Sequence, residues 1–223
     1  MPALWRRDLP VDADPAAADR AGADLVARWS QPHRRYHDVA HLAAVLNVID
    51  EHADWAEDPA LVRLAAWFHD AVYSPRRNDN EEASAALAYS VLRRLGMAPQ
   101  RIDEVARLIR LTERHDPQPG DRNGELLCDA DLSVLAGDPE AYRHYTHRIR
   151  MEYKHIPYQA FRAGRIGILR RLLALPILYH VPALREAWEV RARENIAREL
   201  AALSAGRVNG NGSATSAGAG LRR

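Results

Sequence analysis

Histidine and aspartate residues that could bind a metal ion stand in separate stretches of the chain. The first stretch, RYHDVAH, contains His37 and His41, whose imidazoles would project from one face of a helix because they are four residues apart. The second stretch, WFHDA, ends an apolar run with the adjacent pair His69 and Asp70. Adjacent residues on a helix point about 100° apart. This pair can therefore reach one ion only where helices cross and side chains converge.

A third stretch, CDADLS, places Asp129 and Asp131 inside another apolar run. Taken alone, these aspartates could form a turn or cap a helix. Together with the histidines they supply imidazole nitrogen and carboxylate oxygen, the atoms with which proteins bind zinc, iron, manganese and nickel. Buried carboxylates near one another are also costly unless a cation compensates their charge. The three stretches in this order therefore predict a divalent-metal site.

Helices are the elements that the sequence offers for positioning these side chains. Alanine, leucine, arginine and glutamate are abundant, and no stretch alternates between apolar and polar residues as a half-buried strand would. Gly96 marks a helix end, and Pro99 marks a helix start. The predicted helices lie at about 16–29, 38–53, 59–72, 80–96, 99–114, 125–136, 138–150, 158–175 and 183–203. The predicted fold is all-α, a single helical bundle with the metal site at its centre.

Chain length and composition predict one globular domain. The chain has 223 residues, of which 47% are hydrophobic and 27% are charged, a balance typical of a soluble globular protein. The predicted organisation is an N-terminal lead-in at 1–15, a helical domain at 16–204 and a disordered tail at 205–223. The tail is rich in glycine, serine and alanine and has little apolar surface to bury.

Charge and cysteine content bear on partners and compartment. The 31 basic and 30 acidic residues give a net charge of +1, which does not favour binding to a nucleic acid polymer or an anionic membrane. Cys128 is the only cysteine, so no intrachain disulfide can form, which fits a reducing compartment. No apolar run reaches the roughly 18 residues of a membrane span. The N-terminus lacks a secretory signal pattern, and the prediction is a cytoplasmic protein. Whether it forms a homodimer is left open.

The ordered H…HD…D pattern resembles the HD superfamily of metal-dependent phosphohydrolases. It is most similar to a group of small bacterial proteins predicted to be phosphohydrolases. The motifs that carry the resemblance lie between Trp29 and Leu200 and read RRYHDVAHL, AAWFHDAVY, NDNEEASA, LTERH, CDADLSVL, IRMEY and ARENIARE. The segments around His37 and Asp131 also resemble the cyclic-nucleotide phosphodiesterases, a more distant branch.

The resemblance implies a role for each matching residue. The implied metal ligands are His41, His69, Asp70 and Asp131. Asp129 is the competing candidate for the last position, and Asp70 would contact one or two ions. His37 matches the phosphodiesterase residue that protonates the leaving oxygen. Glu81 or Glu82 would assist the attacking water, although acidic residues at a helix start also suit the helix dipole.

Further polar residues are candidates for the substrate side and for a second ion. The predicted substrate-binding residues are Arg35, Arg150, Tyr153 and Arg165. Arg35 could clamp a phosphate, or it could pair with a structural carboxylate. His115 could bind a second ion, or it could complete a helix C-terminus. HD enzymes with two firmly bound ions often carry two additional histidines between the HD pair and the last Asp. Here only His115 lies in that interval, so we expect one ion or one tight and one weak site.

The remaining histidines and aromatic residues are given structural interpretations. The histidines interpreted as surface residues are His144, His147, His155 and His180. The aromatic residues interpreted as core are Trp67, Phe68 and Tyr73.

The predicted activity is hydrolysis of a phosphate ester in a small nucleotide-like metabolite by water that a divalent ion activates. Zn, Mn, Fe, Ni, Co or Mg would suit the ligands, and the sequence does not choose among them. One alternative is an iron-dependent oxygenase on the same ligands, because fold does not fix function. Another is a non-catalytic module that holds a metal or a nucleotide. No stretch reads as a base- or sugar-recognition motif, so the substrate itself is not predicted.

Overall fold

The computed structural model describes residues 2–205, which fold into ten α-helices. The helices are α1 (Pro2–Arg6), α2 (Pro15–Trp29), α3 (Val39–Glu51), α4 (Pro59–Phe68), α5 (Asn80–Arg94), α6 (Pro99–Leu111), α7 (Arg122–Asp131), α8 (Pro139–Glu152), α9 (Tyr158–Ala174) and α10 (Pro182–Ala205). Two short 3₁₀ helices occupy Ala53–Trp55 and Leu132–Ala136, and residues 2–205 contain no strand. The all-α prediction is confirmed. The tail predicted to be disordered lies, from residue 206 onward, outside the described residues.

Aspartate side chains fix the start of several helices. Asp38, Asp58 and Asp138 each accept hydrogen bonds from backbone N–H groups in the first turn of α3, α4 and α8. Such caps satisfy amide groups that have no partner within the helix. Two predicted helices end at least four residues earlier than expected. The helix predicted at 59–72 stops at Phe68, and the one predicted at 125–136 becomes a 3₁₀ helix after Asp131.

The centre of the core lies where α3, α4 and α7 contact one another. Residues 123–130 of α7 are all buried, so this helix is enclosed by the others. Close approach of α6 and α7 requires Gly124, because a Cβ atom there would lie 2.6 Å from Leu111 Cδ2. Trp67 and Phe68 of α4 are fully buried and Tyr73 is 8% exposed, which confirms the three aromatic residues predicted as core.

The remaining helices surround this centre. Helix α5 packs along α6, α9 packs along α10, and α1 packs against α2. The segment predicted as a lead-in begins with α1, whose buried Trp5 donates its indole N–H to the Ala18 carbonyl at 2.8 Å. The Trp5 ring also meets the Trp67 and Phe68 rings edge to face. Within residues 2–205, no helix combines the length and the apolar character that crossing a membrane requires.

Replacing Gly22 by alanine tests the packing of α1 on α2. A Cβ atom at this position would lie 2.6 Å from Trp5 Cδ1, and the buried indole has little room to move. We expect Gly22→Ala to lower the free energy of unfolding by about 1–2 kcal/mol, because overpacking outweighs the gain in helix propensity. Gly164→Ala in α9 is the matched control, since a Cβ there meets nothing within 4 Å. Urea unfolding should show the control unchanged or more stable, and equal behaviour of the two variants would contradict the packing argument.

Candidate metal centre

Three potential ligands meet at the junction of α3, α4 and α7. His41 lies in the first turn of α3, His69 directly follows α4, and Asp131 is the last residue of α7. One ligand atom from each lies within 4.8 Å of the others. His41 Nε2 is 3.0 Å and His69 Nε2 is 3.6 Å from Asp131 Oδ1. Since three mutually packed helices hold these residues, the group could hold a metal ion.

The nitrogen atoms of the two histidines fit a metal better than they fit hydrogen bonding. His41 Nε2 and His69 Nε2 are buried, and neither makes a hydrogen bond of acceptable geometry. Buried polar atoms without a partner are rare, because leaving them unpaired costs about 1–3 kcal/mol each. A cation bound between these two nitrogens and the Asp131 carboxylate would account for both unpartnered atoms.

The orientation of His69 also suits a ligand. Its Nδ1 lies 2.9 Å from the Ala66 carbonyl, which fixes a proton on Nδ1 and directs Nε2 toward Asp131. Metal-binding histidines commonly donate their other ring N–H in this way. The Trp29 ring lies 5.3 Å from the His69 ring and forms an apolar wall. Electrostatic interactions are stronger beside such a wall than in water.

Asp70 joins the cluster because the helix ends before it. Residues 69–71 form a turn, so His69 and Asp70 are released from helical geometry and both reach the centre. Asp70 Oδ2 lies 3.4 Å from His69 Nε2, and its side chain is 13% exposed. The side chains of His69 and Asp70 therefore converge because the chain forms a turn here and does not continue as a helix.

The charges of the centre favour a cation. Burial opposes a positive charge on His69, but Asp70 and Asp131 outweigh it and raise its pKa to about 9. Burial lowers the pKa of His41. Burial also opposes ionisation of Asp131, yet the surrounding imidazoles, His69 first, hold its pKa well below the usual range. The Asp131 carboxylate thus remains negative and attracts a proton or a metal ion.

His115 contacts the other oxygen of Asp131. Its Nε2 lies 2.8 Å from Asp131 Oδ2, just past the end of α6. The backbone of His115 has a φ of +54°, which among residues 2–205 is the single positive value outside glycine. Few residues other than glycine adopt a left-handed backbone, although histidine does so more often than most. The left-handed backbone of His115 accompanies the contact of its imidazole with Asp131.

His37 lies outside α3, which contradicts the helical relation predicted for His37 and His41. Asp38 caps the helix, so His37 belongs to the preceding loop. Its ring centre is nevertheless 5.8 Å from that of His41, and its Nε2 is 4.0 Å from Asp70 Oδ2. Its Nδ1 lies 2.7 Å from Glu152 Oε2 at the end of α8. The His37 ring is therefore held between two carboxylates.

These two carboxylates set the charge of His37. Burial opposes a positive imidazole, but Asp70 and Glu152 outweigh it and raise the pKa of His37. Burial also works against an ionised Glu152, yet the hydrogen bond and charge of His37 and the backbone N–H groups of Tyr36 and Arg35 lower its pKa to about 2. The pair therefore titrates as a coupled unit in which Glu152 holds the negative charge.

The two adjacent glutamates of α5 differ in their surroundings. Glu81, in the first turn of α5, is partly buried, and burial together with the charge of nearby Asp70 raises its pKa. Glu82 is exposed and pairs with Arg110 of α6, with Oε1 2.9 Å from Nη2. Successive residues turn by about 100° around a helix, so the structure does not bring Glu82 to the centre.

Two of the three arginines predicted to bind substrate make other contacts. Arg150 donates to the backbone carbonyls of Tyr153 and Ile156, and Arg165 is buried in an ion pair with Glu199. Neither guanidinium group is placed at the metal centre. Arg35 has an exposed side chain.

Tyr153 and Arg34 are near the centre. Tyr153 lies beside Tyr73, and the negative charge of Asp70 contributes to the raised pKa of Tyr153. Arg34, which sequence reasoning missed, is buried and donates to the carbonyls of His37 and Ala71. It therefore ties the loop of His37 to the turn after the HD pair.

Packing decides between the two aspartates of α7. Asp129 is fully buried and accepts the backbone N–H groups of His180 and Val181, away from the histidine cluster. Asp131 is the residue at the candidate metal centre. Asp129 instead anchors the segment that leads into α10.

The histidines predicted to lie on the surface divide into two groups. His144 and His147 are exposed, as predicted. His155 and His180 are only partly exposed, so the prediction is wrong for them. Nε2 of His155 is buried without a partner, and Nδ1 of His180 lies 3.3 Å from Asp129 Oδ1.

Glu152 is the most important site residue that the sequence did not single out. A usable signal was present, because Glu152 ends α8, where the negative end of the helix dipole disfavours a carboxylate. An acidic residue at such a position needs compensating donors. The structure supplies them from the loop that carries His37.

Comparisons of the chain with protein-family models, with curated proteins and with solved structures found no significant match. What the site can do chemically therefore follows from its own residues. Those residues are a His, His and Asp cluster that could hold a metal ion, an adjacent aspartate, and a histidine poised beside them.

Proposed function

We propose that the protein is a metal-dependent phosphohydrolase that cleaves a phosphate ester in a small nucleotide-like metabolite. The observation that carries the proposal is the pair of buried, unpartnered Nε2 atoms of His41 and His69, which face Asp131. Asp70 and His37 lie beside this group, as an acid–base reaction at a metal site requires. The resemblance of the H…HD…D pattern to HD phosphohydrolases adds support from the sequence.

Four residues would hold the ion, namely His41, His69, Asp70 and Asp131. A divalent ion bound there would polarise a phosphoryl oxygen and lower the pKa of water. The helices around it keep the ligands in place, and Trp29 keeps one side of the site apolar. His115 would keep the second oxygen of Asp131 occupied.

His37 would act as the general acid. Its Nε2 faces Asp70, and its ring is 21% exposed, so a substrate oxygen can approach this nitrogen. Donation of the Nε2 proton to the leaving oxygen would avoid expulsion of an alkoxide. Glu81, whose pKa is raised by burial, would accept a proton from the attacking water. Arg35, with its exposed side chain, would contact the phosphate.

A screen of metals against phosphate esters tests the proposal. The metal-free protein is supplied in turn with Zn, Mn, Fe, Ni, Co and Mg, and release of phosphate from nucleotides and sugar phosphates is measured. We expect turnover with at least one ion and a loss of at least 100-fold in Asp70→Ala, the scale expected when acid–base and metal positioning are disturbed. His147→Ala, which changes an exposed histidine of α8, should keep full activity.

Other outcomes point to the alternatives. Equal turnover by wild type and Asp70→Ala would contradict the proposal. Binding of nucleotide without turnover under any metal would favour a non-catalytic module. Oxygen uptake that depends on iron would favour an oxygenase on the same ligands.

A further inference from the structure

Arg34 is a buried arginine that lies between two segments of the candidate metal centre. It belongs to the loop that precedes α3, and the residue is only 5% exposed. Its Nη1 donates to the His37 carbonyl at 2.9 Å, and its Nη2 donates to the Ala71 carbonyl at 3.3 Å. The rings of Trp29 and Tyr73 flank the guanidinium carbon, each with its centroid 5.3 Å away.

These contacts make Arg34 a bridge and not one half of an ion pair. Among residues 2–205 its guanidinium group contacts no carboxylate, and the charge of Asp70 acts on it only from a distance. A planar guanidinium can hold two acceptors in fixed positions, because its N–H groups point in set directions. Burial of a cation without an acidic partner is costly. The two backbone carbonyls and the two aromatic rings are therefore what hold this side chain in place.

The two carbonyls belong to the two segments that bring side chains to the centre. The first is the His37 loop, residues 35–38, which leads directly into α3 and its ligand candidate His41. The second is the HD turn, residues 69–72, which carries His69 and Asp70 and includes Ala71. The two segments face each other, with His37 Nε2 4.0 Å from Asp70 Oδ2. Neither segment is helical, so contacts from outside must fix their separation.

We propose that Arg34 is a positioning residue that holds the His37 loop against the HD turn and thereby raises the affinity of the centre for a divalent ion. The part of this inference that concerns metal affinity and turnover rests on the proposed function. The part that concerns the coupling of the two segments does not.

Replacing Arg34 by lysine removes the bridge and keeps the charge. Lysine carries a point charge and lacks the planar fork that reaches both carbonyls. Keeping the charge matters, because loss of a nearby cation would by itself favour metal binding. Arg162→Lys is the matched control. Arg162 is similarly buried and also donates to two backbone carbonyls, but these lie in the last turn of α10.

Calorimetric titration of the metal-free proteins with Mn²⁺, and separately with Zn²⁺, measures the affinity. We expect Arg34→Lys to weaken binding at least about tenfold, the lower end of the effect of removing a group that supports a metal ligand. Arg162→Lys should bind each ion as tightly as the wild type. At saturating metal, Arg34→Lys should also lower kcat at least about tenfold with KM changed little, because His37 and Asp70 lose their alignment. Unchanged affinity in a folded Arg34→Lys protein, or an equal loss in Arg162→Lys, overturns the proposal.

Hydrogen exchange of the metal-free wild type tests the coupling without a variant, a metal or an activity. The hydrogen-bonded amides of Arg35 in the loop and Ala71 in the turn should exchange through one shared opening with the same dependence on urea. Arg34→Lys should accelerate exchange in both segments, and Arg162→Lys in neither. Independent opening of the two segments in the wild type overturns the proposal even if Arg34→Lys does not fold. If the wild type binds no ion, the proposed function fails, and the exchange result still decides whether Arg34 couples the two segments.

Discussion

His69→Asn is expected to remove nearly all of the stabilisation that the proposed divalent ion would give the protein. An ion that binds only the folded state at 100 times its Kd stabilises it by about 2.7 kcal/mol, which raises Tm by about 5–10 °C in a protein of this size. His69 supplies one of two buried, unpartnered nitrogens at the centre. Removing a group that only hydrogen-bonds to a metal ligand already lowers metal affinity 10- to 100-fold. We therefore expect removal of a ligand itself to lower metal affinity at least about 100-fold. At the same metal concentration the remaining stabilisation is then about 0.4 kcal/mol.

Thermal melts with and without metal measure this effect within each variant. Comparing each protein with its own metal-free form removes any change that the substitution makes to the fold. His144→Asn is the matched control, because His144 is exposed on α8 and should keep the full shift in Tm. Metal content per chain after dialysis provides a second measurement. A shift in His69→Asn as large as that of the wild type would show that the ion binds elsewhere.

Asp129→Ala is expected to destabilise the fold strongly while leaving metal binding intact. The carboxylate is buried and accepts the N–H groups of His180 and Val181 at 2.8 Å each. Alanine would leave both donors without a partner, and each unsatisfied buried group costs about 1–3 kcal/mol. The expected loss is about 3–5 kcal/mol, or roughly 10 °C in Tm.

Asp131→Asn is the matched comparison, because its side chain lies in the same helix but at the metal centre. It should lose the metal-dependent shift in Tm that Asp129→Ala retains. Chemical unfolding and metal-dependent melting of both variants therefore distinguish the two aspartates. Loss of the metal shift in Asp129→Ala, with retention in Asp131→Asn, would reverse the assignment made from the structure.

The helices could be predicted because their causes are local. Apolar residues repeat at helical spacing, aspartates such as Asp38 and Asp58 cap the next turn, and Pro99 begins α6. These signals act over a few residues and can be read from one sequence. The ends of α4 and α7 were predicted less well. The chain leaves helical geometry at the HD pair and after Asp131, where tertiary contacts replace helical ones.

Neighbouring residues of the same type show where local reasoning stops. Glu81 is partly buried and the charge of Asp70 helps to raise its pKa, whereas Glu82 is exposed and pairs with Arg110. Likewise, Arg34 is buried beside the loop of His37, whereas Arg35 is exposed. In each pair the two side chains have similar chemistry and differ only in direction. How the helices and loops pack determines which side chain points toward the site. The residue type alone does not determine this.

The sequence by itself determined the helical class, most helix positions and the residue types that could bind a metal. Only the tertiary structure decided that Asp131 and not Asp129 meets the histidines, that a turn aims Asp70, and that Glu152 holds His37. Helix formation depends on contacts within a few residues, whereas Glu152 and His37 are 115 residues apart. A contact at that distance along the chain exists only after the helices have packed.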